Sequence, residues 1–207
     1  MELELALTAF VTLFVIIDPI GLTPLFVALT AGRTAKQRRG IAIRAVLTAA
    51  GLLAVFGVAG EFMLTKIGIG MPAFRISGGI LLFLTAIEML FEKRTPRREK
   101  TAEEDEGTDP AIFPIAMPLI GGPGAMTSMI LLTGQYSGDI ASQVMVHVVM
   151  LVVLLMVFLM FVTSGVMERI LGHTGINLVT RLMGMFLAAL SVQFVLDGLR
   201  DFGLYGL

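Results

Sequence analysis

Six long apolar stretches dominate the 207-residue sequence, and each is long enough to cross a bilayer as a helix of about 20 residues. The chain is 56% hydrophobic and 15% charged, with a mean hydropathy of +0.90, whereas soluble domains carry about 25% charged residues. The composition predicts an all-α integral membrane protein that contacts the lipid bilayer directly. The predicted spans cover residues 5–31, 41–64, 67–91, 111–132, 140–166 and 176–199.

Helix-breaking residues interrupt the first and fourth spans. Residues 18–24 read Asp-Pro-Ile-Gly-Leu-Thr-Pro, and residues 118–124 read Pro-Leu-Ile-Gly-Gly-Pro-Gly. Backbone groups freed by such breaks are tolerated in a bilayer only where they are buried in protein or line a cavity. Two interrupted segments at corresponding positions of two halves indicate a transporter binding site; structural proline kinks are the alternative. We predict that spans 1 and 4 are discontinuous and line a cavity.

Basic residues cluster at three of the predicted loops. Because cytoplasmic loops carry an excess of Lys and Arg, these clusters predict a multi-pass protein of the cytoplasmic (inner) membrane with both termini outside. They contain no interleaved aromatic residues, so nucleic-acid binding is not expected. Twelve of the 15 Lys and Arg residues belong to these clusters: Arg33, Lys36, Arg38, Arg39, Arg44, Lys93, Arg94, Arg97, Arg98, Lys100, Arg169 and Arg181.

The charge pattern also divides the chain into two halves. Residues 1–91 form a first three-helix repeat, residues 92–110 a charged cytoplasmic linker, and residues 111–207 a second three-helix repeat. Since each half has three spans, the second half enters the membrane from the opposite side and is inverted. A shift of 106 residues aligns Arg75 and Gly78 with Arg181 and Gly184. We therefore predict a 3+3 inverted repeat.

The candidate substrate site lies at the two breaks. Helix ends in mid-membrane expose amides to an anion and carbonyls to a cation, a pair that suits a zwitterionic amino acid. An ionisable residue near the membrane centre is functional by default, so Asp18 is a candidate for binding the substrate ammonium or a coupling ion; the alternative is a helix cap. The predicted substrate-binding residues are Asp18, Pro19, Gly21, Thr23, Gly121, Gly122, Pro123, Gly124 and Thr127.

Other polar or small residues in the spans are secondary candidates: Arg75, Ser77, Gly78, Arg181 and Gln193. The two arginines lie near span starts and can instead snorkel to the interface, and the small residues can instead allow close helix packing. His147 can titrate near neutral pH, but a single histidine in a span is more often structural.

Catalytic motifs are missing from the sequence. It contains no Cys, no His-Glu-x-x-His, no Gly-x-Ser-x-Gly and no phosphate-binding loop. We expect no enzyme activity, no metal and no cofactor; H+ or Na+ is a possible coupling ion.

The chain resembles the MarC family of six-span inner-membrane proteins. The resemblance rests on the residues at 18–21 with Pro24, on Ala-Met-Pro-Leu-Ile-Gly-Gly-Pro-Gly at 116–124, and on Phe-Arg-Ile-Ser-Gly-Gly at 74–79. Further matches are Arg-Leu-Met-Gly at 181–184 and Ala-Leu-Ser-Val-Gln-Phe at 189–194. The sequence departs from the pattern at Leu22, where the family often has Asn. The resemblance implies a transporter of small neutral amino acids such as glycine and alanine.

We therefore expect a secondary transporter that moves small neutral amino acids by alternating access, and proton coupling and homo-oligomerisation are further hypotheses. Three alternatives stay open: a channel, an exporter for other small solutes, and a membrane regulatory protein that transports nothing.

Overall fold

A computed structural model describes residues 2–91 and 109–203, and every regular element in these ranges is a helix. The predicted charged linker lies outside the described residues, except for Asp109 and Pro110. The helices are α1 (Glu2–Ile17), α2 (Pro19–Leu29), α3 (Ala35–Lys66), α4 (Met71–Leu90), α5 (Ala111–Ile120), α6 (Pro123–Gly134), α7 (Ile140–Val162) and α8 (Ser164–Asp201).

Five segments of the described chain are long and apolar enough to cross a membrane. They are Leu3–Leu29, Ala35–Lys66, Met71–Leu90, Ile140–Val162 and Thr174–Asp201, and the bent pair α5 and α6 counts as a sixth if it forms one span. These segments coincide with the six predicted spans to within a few residues.

The outer surface of the helix bundle is apolar. Leu47 and Val58 on α3, for example, are 65% and 76% exposed. An apolar surface this large is unfavourable in water, but it is favourable in contact with lipid. Inside the bundle, the rings of Phe26 and Phe161 stack with centroids 4.2 Å apart and join α2 to α7. The described chain is thus a multi-pass helical membrane protein.

Local sequence explains several helix ends. Thr34 and Gln37 form a capping box at the start of α3, each side chain pairing with the other residue's backbone amide. The Arg38 guanidinium donates to the carbonyls of Val27 and Thr30 at the end of α2. α8 contains a break at Gly172, whose φ of 61° favours glycine.

Packing between the two halves is reciprocal. α3 packs against α7, and α4 packs along α8 in the most extensive pairing of the described helices. α5 and α6 pack on α3, just as α1 and α2 pack on α7, and α6 contacts α4 as α2 contacts α8. Exchanging α1 and α2 for α5 and α6, α3 for α7 and α4 for α8 therefore reproduces most of the pairings.

A bidentate ion pair joins α3 to the residue before α5. The Arg44 guanidinium donates to both oxygens of Asp109, with Nε–Oδ2 3.0 Å and Nη2–Oδ1 3.1 Å. The hydrogen bond from Arg44 and that from the Ala111 amide hold the pKa of the Asp109 carboxyl below its ordinary value of 3.8. A carboxyl with a lowered pKa stabilises the fold above its ordinary pKa, and this contribution is lost as the pH falls through the lowered value.

Asp109→Asn is expected to lower the thermal unfolding midpoint slightly at pH 7, since an exposed ion pair contributes less than about 1 kcal/mol. The difference from the wild type is expected to shrink as the pH is lowered below about 3.8. Thermal unfolding in detergent between pH 3 and pH 7 measures this difference. A difference that stays constant down to pH 3 would show that the Asp109 charge is not its source.

Candidate functional site

The first break is a single residue, Asp18, between α1 and α2. Its φ of 54° and ψ of 65° are left-handed, a conformation that Asp tolerates better than most residues. The backbone ladder continues across it, since the Asp18 amide donates to Phe14 O at 2.9 Å and the Leu22 amide to Asp18 O at 3.0 Å. α1 and α2 together form the single candidate span Leu3–Leu29. The interruption is therefore smaller than the sequence suggests.

The Asp18 carboxylate is buried at this break. The residue is 1% exposed, and Oδ1 accepts a hydrogen bond of 3.0 Å from the Gly21 amide, which makes Asp18 the N-cap of α2. A carboxylate can accept several hydrogen bonds at once, since its two oxygens carry about four lone pairs. Capping and ligand binding are therefore compatible at Asp18.

Gly21 is confined by its surroundings. A Cβ at this position would overlap Asp18 Oδ2 and lie 3.0 Å from Thr180 Oγ1 on α8. Sequence reasoning missed Thr180. It directly precedes Arg181, but nothing in the sequence pairs it with a residue 159 positions earlier. Gly21 of α2 and Thr180 of α8 therefore lie beside Asp18 at the first break.

Thr23 and Pro19 are buried in the same segment. The Thr23 hydroxyl donates to the Pro19 carbonyl at 2.9 Å, a local bond that satisfies a backbone acceptor within the helix. This bond gives Thr23 a structural role at the break.

The second break is longer and more irregular. Within α5, the backbone is non-helical at Phe113 and Met117, and the Ile115 and Gly121 amides donate to carbonyls five residues earlier, as in a π-helix. α6 then starts at Pro123, bent by 55° from α5. A Cβ on Gly122 would overlap the Pro118 carbonyl oxygen. The backbone at residue 122 therefore packs directly against the backbone at residue 118, and only glycine leaves room for this contact.

The start of α6 offers backbone donors. Its N-cap is Gly122, which supplies no side-chain cap, and the first α-helical bond is donated by Met126 to Gly122 O at 3.0 Å. Amides before this donor, at Gly124 and Ala125, have no acceptor within the helix. Such an end is a favourable place for an anion.

Ser128 adds an unusual hydroxyl one turn into α6. The residue is fully buried, and its Oγ has no hydrogen-bond partner among the described residues. Because side chains on a helix tilt toward its N-terminus, we expect this hydroxyl to lie over the turn that starts at Gly124. Buried hydroxyls are normally paired, so an unpaired one marks a place where a ligand can bind.

The two breaks are close together. A Cβ on Gly124 would lie 3.4 Å from Ile16 Cγ2 on α1 and 2.7 Å from Leu82 Cδ2 on α4. Ile16 is two residues before Asp18. The structure thus brings the start of α6 against the segment that leads into the first break.

An apolar cavity adjoins the second break. It has a volume of about 300 Å³ and lies between α3, α4 and α6, lined in part by Gly60, Phe74, Pro123 and Thr127. Thr127 is 5% exposed, and its methyl group packs so closely on Gly78 of α4 that a Cβ there would overlap it. Gly121 contacts α3 instead, where a Cβ would lie 3.0 Å from Leu52.

The described contacts of the secondary candidates Arg75, Ser77 and Gln193 lie away from the breaks. The Arg75 guanidinium pairs with Asp201 at the C-terminal end of α8, with an Nη1–Oδ2 distance of 2.6 Å. Ser77 is exposed and its hydroxyl donates to Phe74 O. Gln193 is exposed and donates to Asp197 at 2.8 Å, and Arg181 is also exposed. Gly78 contacts Thr127 beside the second break, and Arg181 directly follows Thr180, which lies near Gly21 at the first break.

Comparison with known proteins identifies the family of this chain. Residues 3–202 match the family model for the MarC family integral membrane protein. The chain is 34% identical to a UPF0056 membrane protein of Aquifex aeolicus and 37% identical to one of Archaeoglobus fulgidus. Each match covers 93% of this chain and 91% of the other protein. The chain is also 35% identical to the UPF0056 inner membrane protein YhgN of Escherichia coli, over 94% of this chain and 95% of that protein. No solved structure matches the chain. The chain belongs to the MarC family of integral membrane proteins.

Proposed function

We propose that this protein is a secondary transporter of small neutral amino acids such as glycine and alanine, and that the substrate binds between the two broken segments. The observation that carries the proposal is the close approach of Gly124, at the start of α6, to Ile16, which leads into Asp18. It places a deep carboxylate and a helix N-terminus in one region of the bundle. Those are the charges that a zwitterion requires.

The chemistry of the two breaks is complementary. Asp18 supplies negative charge for the substrate ammonium or for a coupling cation, H+ or Na+. The Gly124 and Ala125 amides and the Ser128 hydroxyl supply donors for the carboxylate. The backbone of Gly121, Gly122 and Pro123 shapes that end.

Steric crowding favours a small substrate. A Cβ at Gly21, Gly78 or Gly124 would collide with a neighbouring side chain, so the space around the breaks is narrow. The apolar cavity beside Pro123 and Thr127 has room for a methyl-sized side chain and offers an approach to the site. Glycine and alanine meet both limits.

Alternating access follows from an inverted repeat, which we include in the proposal. The reciprocal packing of α1–α4 and α5–α8 supports it, because two inverted halves contact each other in this way. α1 with α2 and α5 with α6 then act as the discontinuous spans of the two repeats. The basic clusters support an orientation with both termini outside. The name of the inner membrane relative of Escherichia coli supports placement in the cytoplasmic membrane.

Uptake of radiolabelled glycine into proteoliposomes tests the proposal. We expect saturable uptake that alanine inhibits, whereas N-acetylglycine, which lacks the ammonium, and glycinamide, which lacks the carboxylate, do not inhibit. Uptake that does not saturate would indicate a channel. Uptake equal to that of empty liposomes would indicate a protein that does not transport amino acids, such as a regulatory protein.

Ser128→Ala is expected to raise the KM for glycine about tenfold, because a hydrogen bond to a charged group contributes about 1.5–3 kcal/mol. The thermal midpoint should not fall, since no described residue pairs with this hydroxyl. Ser191→Ala is the matched control, because its buried hydroxyl is already bonded to Ala188 O. Equal KM values for the two variants would remove Ser128 from the site.

A further inference from the structure

His147 on α7 is a partly buried histidine that the proposed site does not use. Its Nδ1 lies 2.7 Å from the Gln143 carbonyl oxygen. A carbonyl oxygen only accepts hydrogen bonds, so Nδ1 carries the hydrogen. In the neutral ring, the lone pair is therefore on Nε2.

Nε2 is buried and has no hydrogen-bond partner among the described residues. It faces α3 and α6: a Cβ on Gly57 would lie 2.6 Å from Nε2 and 2.9 Å from Met129 Cε. A structural histidine normally has both ring nitrogens satisfied. Here one nitrogen anchors the ring, and the other is a base in an apolar junction of three helices.

Few titratable groups surround this junction. On α3, Glu61 lies one turn beyond Gly57, and its carboxylate is 4.0 Å from the position of a Gly134 Cβ at the end of α6. α6 and α2 contain no titratable residue, and those of α1 are Glu2 and Glu4 in its first turn. On the chain leading into α7 are Tyr136 and the N-cap Asp139. Glu61 is thus the titratable residue of α3 nearest to Gly57 along the helix.

The position of His147 connects protonation to helix movement. α3 and α7 are the middle helices of the two halves, and they pack on each other. Adding a proton to Nε2 would place an N–H group and a positive charge against Gly57, which has no side chain, and Met129, whose thioether is only a weak acceptor. A charged ring is therefore favoured in a conformation where α3 and α7 separate and water reaches Nε2.

We infer that His147 is the binding site for the coupling proton, which Nε2 accepts from water near Glu61 to give an imidazolium and releases to water after the halves have moved. The inference rests on the proposed transport function. It gives the proton a carrier other than Asp18, whose carboxylate then serves the substrate ammonium.

Nitrogen NMR of protein with ¹⁵N-labelled histidine rings tests this directly, because the chain has only two histidines. The His147 signals are those lost in His147→Gln. We expect them to change from the Nδ1–H tautomer to imidazolium when the ring takes up the proton. Saturating glycine should move the midpoint by about 0.7 pH units or more, since coupled ligands change each other's affinity at least about fivefold.

Uptake measurements complete the test. Wild-type glycine uptake should depend on pH, and His147→Gln should remove that dependence while His173→Gln keeps it. Gly57→Ala, which crowds Nε2, should suppress the titration and serves if His147→Gln does not fold. Wild-type uptake with a ring that stays neutral, or with a midpoint that glycine does not move, overturns the His147 assignment and leaves transport standing. Absence of wild-type uptake overturns transport and the assignment with it.

Discussion

Asp18→Asn is expected to lower kcat/KM for glycine uptake about 10- to 100-fold, the effect of losing a charged hydrogen-bond partner worth about 1.5–3 kcal/mol. Fold stability should change little. Asn tolerates the left-handed backbone at φ 54°, and its side-chain oxygen can still accept from the Gly21 amide. Uptake kinetics in proteoliposomes, with thermal unfolding of the same samples, separate the two effects.

Asp139→Asn is the matched control for this variant. Asp139 is also an N-cap, and it accepts from the amides of Ala141 and Ser142 at the start of α7, but it is not buried. The control is expected to transport like the wild type. If Asp18→Asn keeps uptake within about twofold of the control, Asp18 has only a capping role and does not bind substrate.

Gly122→Ala is expected to destabilise the protein strongly. The added Cβ would overlap the Pro118 carbonyl oxygen, which is backbone and cannot move aside without reshaping α5. Overpacking of this kind costs about 1–3 kcal/mol and occasionally more. Thermal unfolding in detergent should show a lower midpoint, and glycine uptake should be lost with it.

Gly51→Ala on α3 is the control for the added methyl group. A Cβ at Gly51 has nothing within 4 Å, so this variant should gain up to about 1 kcal/mol from helix propensity. If Gly122→Ala is as stable as Gly51→Ala, the closed backbone at the second break does not require glycine.

Much of the helical architecture was predictable because it depends on local patterns. Apolar runs of bilayer length produced the spans, and Pro and Gly marked both interruptions. The cap formed by Asp18 follows from the same logic, since Asp is a preferred N-cap residue. The extent of each break differs from the prediction. The first break is one residue and keeps its backbone hydrogen bonds. At the second break, the irregular backbone begins as early as Phe113.

Contacts between distant residues were not predictable in the same way. Arg75 and Asp201 are 126 positions apart, and no local pattern shows that α4 and α8 bring them together. The exposure of Ser77 and the contact between Gly21 and Thr180 depend on helix rotation, which tertiary packing sets. The unpaired nitrogen of His147 has the same origin, because the sequence does not reveal which helix faces the ring.

The central claim is that the two breaks form one site that alternates between the two sides of the membrane, and counterflow tests it most directly. Proteoliposomes loaded with unlabelled glycine are diluted into a trace of labelled glycine, with no ion gradient. The account predicts transient accumulation of label inside, above its outside concentration, and its loss in Asp18→Asn but not in Asp139→Asn. Label that only equilibrates, or that enters equally into empty liposomes, would contradict the account.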